Sequence, residues 1–377
     1  MALAPVEELA LLLKPAAGGL YLVSTGRAEQ LAVQRSLYGV DDDARIVQMF
    51  RESLDRIAAA RVVILGVPSD VGAGFRRGSN LAPQAIRATM LSEDPDYRAY
   101  MDRERIVDIG DVFVVPQLLH DEMLAPAQLE ASRRALYPDV APEVRATLPV
   151  SPLSIAERAL DLVFAINPRV KPFVLGGDHS NAWPVAAALS RARRDWGIVQ
   201  PDAHTDLLAE RLGIRYCFAT WSYHANDLIG RGGRMVQVGT RASRRDRAHW
   251  ESTLGVRQFW GEECRARPEQ SLDAILAHVK SVGVSSVYFS NDIDGTDAAW
   301  ADATGTPEPG GLEPDFVVEL IRRLGREVGL CAGDLMEVAP PLESSPGSAA
   351  RTLSLAARYG RETLAALTSE PALAREV

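Results

Sequence analysis

The sequence predicts an α/β fold, a single three-layer α/β/α domain with a mainly parallel sheet, preceded by a helical N-terminal extension. Three observations predict it. Short, β-branched, almost continuously apolar runs recur along the chain; stretches with helical spacing separate them; and several runs end in polar clusters. Strands buried on both faces lose the polar alternation of a half-exposed sheet, and parallel neighbours need helical crossovers.

Taken in order, residues 1–60 form the extension. It closes with Ile46, Met49, Phe50, Leu54 and Ile57 at three- and four-residue spacing, a helical pattern. From Arg61 the texture changes, and residues 61–377 read as the domain. Its strands are RVVILGV (61–67), IVDIGDV (106–112), PFVLGGDH (172–179), GIVQPDAH (197–204), MVQVGT (235–240), SVYFSNDID (286–294) and LCAGDLMEV (330–338). Ser180 or Asn181 is placed to cap a helix running to Arg194, and Ser271 one over Leu272–Val282. Pro314 suits a first helical turn. A last helix spans about Ala349–Leu367 despite Gly360. The proline-rich stretch 113–150 reads as an insertion, with some helix around Ala127–Ala135.

At 377 residues and 47% hydrophobic content, the chain can bury a sizeable core. A formal charge of −9 argues against nucleic acid or an anionic membrane as partner, since both need a basic surface. The three cysteines, Cys217, Cys264 and Cys331, are scattered and read as free thiols of a reducing compartment. Leu9–Leu13 is too short for a signal-peptide core and follows Glu7 and Glu8 instead of a basic stretch. A cytoplasmic protein is expected.

The chemistry gathers at strand ends. Gly176-Gly177-Asp178-His179 closes one strand, Asp202-Ala-His204-Thr-Asp206 the next, Asp292-Ile-Asp294 a later one, and Glu337 the last. In open parallel sheets, ligands bind beyond the carboxyl ends of the strands, so these segments can meet in one crevice. Side chains at i and i+2 share a strand face, which points Asp202 with His204 and Asp292 with Asp294. Carboxylates crowded in this way resist burial unless cations neutralise them. Two divalent ions would do so. Oxygen-rich ligation with two histidines suits Mn²⁺, with Zn²⁺, Fe²⁺, Co²⁺ or Ni²⁺ less suited on ligand softness. A two-metal site lowers the pKa of a shared water and supplies a nucleophile near neutral pH. The glycines between Gly66 and Gly78 lack dinucleotide-fingerprint spacing, and Ser180 lacks the GxSxG context of a nucleophile elbow.

The runs GGDHS, DAHTDL and SNDIDGTD, in that order, resemble the ureohydrolase family of arginases, agmatinases and formiminoglutamases. GVPSDVGAGFRRGSNLAPQAIR (66–87), ATGTPEPGGL (303–312) and DLMEVAP (334–340) extend the resemblance over residues 61–370. It implies that His179, Asp202, Asp206 and Asp292 hold one metal ion, and His204, Asp202, Asp292 and Asp294 the other, with Asp202 and Asp292 bridging. It implies further that Asp206 orients the bridging hydroxide, that Glu337 pairs with a substrate guanidinium, and that the protein is a homo-oligomer, trimeric or hexameric.

The chain departs from the family at one instructive place. Members usually carry a histidine that serves the leaving amine, in a short HG motif after DAHTD. In GIRYCFATWSYHAND (213–227), aligning Thr220 with the motif's threonine puts Phe218 there. His224 is the candidate substitute, with Tyr216, Cys217 and Tyr223 as weaker donors. Asn291, Ala298 and Ala82 are smaller departures, at sites where an apolar residue, a proline and a glycine are usual. The expected function is hydrolysis of a linear C–N bond in a guanidino compound, agmatinase-like, giving urea and an amine. Formimidoyl or other amidine hydrolysis is the alternative, and a degenerate metal-binding homologue with a binding or assembly role is a third.

Overall fold

In the computed structural model, which describes residues 3–22 and 24–371, nine strands form one sheet. In chain order they are β1 (Leu13–Lys14), β2 (Val62–Val67), β3 (Ile106–Val112), β4 (Lys171–Gly176), β5 (Trp196–Pro201), β6 (Met235–Thr240), β7 (Arg257–Trp260), β8 (Ser286–Asp292) and β9 (Leu330–Met336). Across the sheet the order is β1-β3-β2-β4-β9-β8-β5-β6-β7. Only the β1–β3 pairing is antiparallel. Two strands were not legible beforehand: β1 is too short for any alternation, and β7 is a four-residue edge strand, half-exposed at both ends.

Helices cover both faces, which is why β2, β3, β5, β6 and β9 are buried at every position. One layer gathers Pro5–Leu12, Pro152–Ile166, Ala182–Ala192 and Trp221–Leu228. The other gathers Ala82–Glu93, Pro314–Glu327 and Ser348–Thr368. Each fully buried Leu, Ile or Val contributes about 1.5–3 kcal/mol, and the core holds dozens of them. Gly360 sits inside the last helix because a side chain there would run into Met90. The helix expected to start at Ser271 runs Pro268–Ser281: Pro268 tolerates the first turn, and the Ser271 hydroxyl instead donates to the Glu263 carbonyl at 3.3 Å.

Two aspartates interrupt the apolar run of β3 for a reason. Arg87, buried on Ala82–Glu93, donates Nε to Asp108 at 2.7 Å and Nη1 to Asp111 at 2.5 Å. Charges buried in this way must be paired, and the pairing ties helix to strand.

Residues 3–60 are continuous with the domain's packing. Leu9, Leu12, Leu13, Ile46, Phe50, Leu54 and Ile57 are all buried in the common core. Asp42 caps Asp43–Asp55 by accepting from the Arg45 amide at 2.9 Å. Arg158 forks onto Glu8 at 2.6 and 2.8 Å, joining the first helix to Pro152–Ile166. Within 113–150, the main helix is Pro126–Leu136, and none of its residues is fully buried. Among the described residues no helix is long and apolar enough to cross a membrane.

Candidate metal centre

The four strands that end in polar motifs, β4, β9, β8 and β5, lie side by side in the middle of the sheet. Their carboxyl ends therefore open into one crevice. The chain leaves β4 through Gly177, whose missing side chain lets the backbone pass against the Ser69 carbonyl, with which the Asp178 amide pairs at 3.0 Å. Asp178 then accepts from the Ser180 amide at 2.8 Å and the Gly72 amide at 3.0 Å, starting the turn that turns His179 inward. Burial pushes the Asp178 carboxyl up to about 6 against these donors.

His179 is 1% exposed, and its Nδ1 faces three carboxylates: Asp292 Oδ2 at 2.9 Å, Asp202 Oδ2 at 3.2 Å and Asp206 Oδ2 at 3.4 Å. None of these contacts has hydrogen-bond geometry, so Nδ1 is a buried atom without a partner. His204 Nδ1 lies 3.1 Å from Asp294 Oδ2 and 3.6 Å from Asp202 Oδ1. Two donor groups result, His179–Asp202–Asp206 and Asp202–His204–Asp294. In each, the ligand atoms lie within 4.8 Å of one another, and Asp202 belongs to both. Asp292 stands beside the first group through its contact with His179. All six residues named from the sequence thus meet in one place.

The electrostatics call for cations. Burial, and then the charge of Asp202, pushes Asp206 well above the usual carboxylate range. Burial and the neighbouring Asp294 and Asp202 do the same to Asp292. Burial would also raise Asp202, but the closeness of the His179 and His204 imidazoles outweighs it and holds that group low. Both imidazoles are raised by the carboxylates, against burial that lowers them. With protons alone, these groups share a positive charge deficit. Divalent ions on the same atoms would let every carboxylate ionise and both imidazoles serve as neutral ligands.

A supporting shell fixes the ligands, and sequence reading had passed over it. The Ser290 hydroxyl lies 3.1 Å from His179 Nε2 and donates to Asp334 at 2.9 Å; Asp334 also pairs with the Tyr288 hydroxyl and accepts from the Asn291 amide at 3.0 Å. Gln200 Nε2 donates to Asp202 Oδ2 at 2.7 Å, and the Thr306 hydroxyl to Asp294 Oδ2 at 3.0 Å. Trp221, wholly buried, donates to Asp206 Oδ2 at 3.2 Å and packs its ring 4.6 Å from His179. Two signals were available: Ser290 shares the strand face of Asp292, and Asp334 is an acid in the middle of a buried strand.

Glu337 directly follows β9 at the edge of the crevice. Its Oε1 accepts from the His179 amide at 2.9 Å, and Oε2 faces Gly305. Burial, and then Asp178, pushes the carboxyl well above its ordinary range. Glu337 and Asp206 both hold left-handed backbone, φ 64° and 52°, which costs a non-glycine residue on the order of 1 kcal/mol or more.

His224 is not brought to the cluster. It lies on Trp221–Leu228, its ring among Trp183, Tyr216 and Tyr223, and its Nε2 pairs with the Ala209 carbonyl at 3.0 Å. Tyr216 stacks on Trp183 at 4.5 Å. Phe218 instead lines a surface cleft, its amide donating to the Gly72 carbonyl at 3.2 Å.

Residues 60–365 match the family model described as the arginase family. The chain is 33% identical to the guanidinobutyrase of Pseudomonas aeruginosa over 301 residues, 78% of this chain and 82% of that protein. It is 31% identical to the mitochondrial guanidino acid hydrolase of Homo sapiens over 330 residues, 85% and 80% of the two chains. Among solved structures it resembles proclavaminate amidino hydrolase from Streptomyces clavuligerus, with a TM-score of 0.62 at 26% identity, over 82% of this chain and 93% of that one.

Proposed function

The chain belongs to the arginase family, and from that premise we propose that it hydrolyses a linear C–N bond of a guanidino compound, releasing urea and an amine, the reaction type of an agmatinase. The observation that carries the proposal is the pair of donor groups sharing Asp202 around the unpartnered Nδ1 of His179. The donors are mostly oxygen, with one imidazole in each group, which suits two Mn²⁺ ions better than softer metals. Such ions, when bound, would polarise the substrate and supply a water of lowered pKa. His179, Asp202, Asp206 and Asp292 would hold one of them, and His204, Asp202, Asp292 and Asp294 the other.

The remaining roles fall to the chain's own atoms. Trp221 occupies Asp206 Oδ2, leaving Oδ1 to accept a proton from the attacking water. That proton is then at hand for the departing nitrogen, a service that neither Phe218 nor His224 is placed to give. Glu337 has Oε1 anchored on the His179 amide, so Oε2 is the atom that would accept from the guanidinium. A carboxyl driven up by burial gains most from a cationic partner, which favours a guanidinium over a neutral amide. The three cysteines are all buried and free, which supports a reducing compartment such as the cytoplasm. A homo-oligomer, trimeric or hexameric, belongs to the same proposal through the family resemblance.

The test is product analysis of manganese- and nickel-loaded protein across a guanidine and amidine panel. Urea with the matching amine supports the reading; formamide or ammonia without urea replaces it with amidine hydrolysis. Absence of any product across the panel, with metal bound, would leave a binding or assembly role.

A further inference from the structure

Beside the carboxylate cluster lies a surface cleft of about 490 Å³. Its walls are the turn Val71–Phe75, the start of the insertion at Leu119, Met123 and Leu124, and the hairpin that brings Arg211 and Phe218 together. The cleft adjoins the site through two short links. Gly72 donates to Asp178, the residue before His179, and the Phe218 amide closes back on the Gly72 carbonyl. On the other side Arg76 reaches the Gly305 carbonyl at 3.4 Å, above the glycine that faces Glu337 Oε2. Neither Glu337 nor a metal ligand lines the cleft itself; Gly72 and Phe218 are what join it to the site.

The lining is largely apolar and includes no aspartate or glutamate. It does include Arg211, whose guanidinium lies over the Phe218 ring at 4.8 Å. Among the described residues the Arg211 side chain makes no hydrogen bond and no ion pair, and Arg76 has no carboxylate partner either. Their neighbours differ: Arg77 is held by the Asp70 carbonyl at 2.7 Å, and Arg215 lies 3.5 Å from Glu122. Arg211 is also presented firmly. Its amide and carbonyl pair with Ile214 at 2.9 Å in both directions, across a two-residue turn in which Leu212 and Gly213 have φ of 51° and 78°. That is the tight hairpin turn that matches strand twist. In a chain of net charge −9, the unpaired guanidinium of Arg211 at a cleft with no acid in its lining is a local reversal of sign.

From these observations we propose that the substrate's tail is an apolar chain ending in a carboxylate, received by Arg211 with help from Arg76. Resting on the guanidino-hydrolase reading above, this narrows the substrate to a guanidino acid. An amine tail would meet the like charge of Arg211 with no acid in the lining to offset it, whereas a carboxylate can take a forked contact from Arg211 while its methylenes cover Phe218. The departure at Phe218 thus acquires a role. The ring that stands where the family places a histidine gives the tail an apolar floor and holds the arginine over it.

The experiment compares 4-guanidinobutyrate, butylguanidine and agmatine, which share a four-carbon tail and differ in terminal charge. Urea release and calorimetric binding are both measured on manganese-loaded protein, wild type, Arg211→Gln and Arg76→Gln. The wild type is expected to favour the acid over butylguanidine by about tenfold in KM, with agmatine last. Arg211→Gln should bring the acid-to-neutral ratio to within about twofold, and salt should erode the wild-type ratio because the arginine is exposed. Arg211-dependent binding of the acid without urea release would uphold the tail site while overturning the hydrolase reading. Urea release that ignores terminal charge, or a ratio unmoved in Arg211→Gln, would overturn the tail site and leave the reaction intact.

Discussion

Trp221 donates its indole N–H to Oδ2 of Asp206 at 3.2 Å from a wholly buried position, while the Asp206 backbone is held at φ 52°. Indole can only donate, so the contact selects the ionised or acceptor face of the carboxyl and fixes which oxygen looks outward. Trp221→Phe keeps the ring against His179 and removes the donor. We expect kcat to fall roughly ten- to hundredfold, as for loss of a hydrogen bond to a charged group, with metal content retained. A kcat within about twofold of wild type would take Asp206 positioning away from Trp221.

Asp202 is the one residue common to both donor groups. Asp202→Ala should therefore abolish activity and cost the protein one or both metal ions, read by elemental analysis after gel filtration. Wild-type stoichiometry in that variant would contradict the ligand assignment.

Glu337 touches the His179 amide but lies outside both donor groups. Glu337→Ala should keep its metals and lose kcat/KM by at least about thirtyfold, the loss expected when a buried charge pair is truncated. Unchanged steady-state constants would remove it from the substrate site.

Asn291 is 1% exposed, and among the described residues neither atom of its side-chain amide has a partner. Its side chain points to the sheet face opposite Ser290 and Asp292. A leucine of similar size would remove two desolvated polar atoms, so Asn291→Leu should stabilise the fold by about 1 kcal/mol. The urea denaturation midpoint reads this; an unchanged or lower midpoint would mean that the amide is satisfied in solution.

His120 is buried, accepts the Glu122 amide on Nδ1 at 3.2 Å, and burial holds it below its ordinary 6.5, against the raising charges of Glu122 and Asp121. Arg215 adds to the lowering. The folded state thus keeps the imidazole neutral where the unfolded chain would protonate it. Stability from this group is complete above 6.5 and is lost as pH falls through and below that value. Thermal midpoints should drop between about pH 7.5 and about pH 5.5, and His120→Asn, which preserves an acceptor, should shrink the drop. Identical pH profiles for the two proteins would exclude His120 as the cause.

Most of the fold was readable because β2, β5, β6, β8 and β9 are apolar runs, and the ends of β4, β5, β8 and β9 carry the chemistry. His179, Asp202, His204, Asp206, Asp292, Asp294 and Glu337 could be named since strand ends of a parallel sheet converge whatever their separation in the chain. What could not be read depends on three-dimensional pairing. Nothing in the letters FATW says that Trp221 will turn its indole toward Asp206, or that His224 will spend its Nε2 on a backbone carbonyl. The isolation of Arg211 is likewise visible only once every carboxylate around it has been located. The extension was set apart by its texture, yet Leu13 and Lys14 pair with Val112 and Asp111, a contact across almost a hundred residues that no local pattern announces.

That pairing has a consequence for how the molecule keeps to itself in a crowded solution. A sheet margin is a row of vacant amides and carbonyls able to recruit any extended strand that drifts past. The two residues Leu13 and Lys14 hem part of that margin, and Leu9 and Leu12 anchor the hem from behind. Trimming the first sixty residues would leave the crevice chemistry in place but bare β3 and its apolar backing, so the shortened protein should clump before it loses its ability to bind metal.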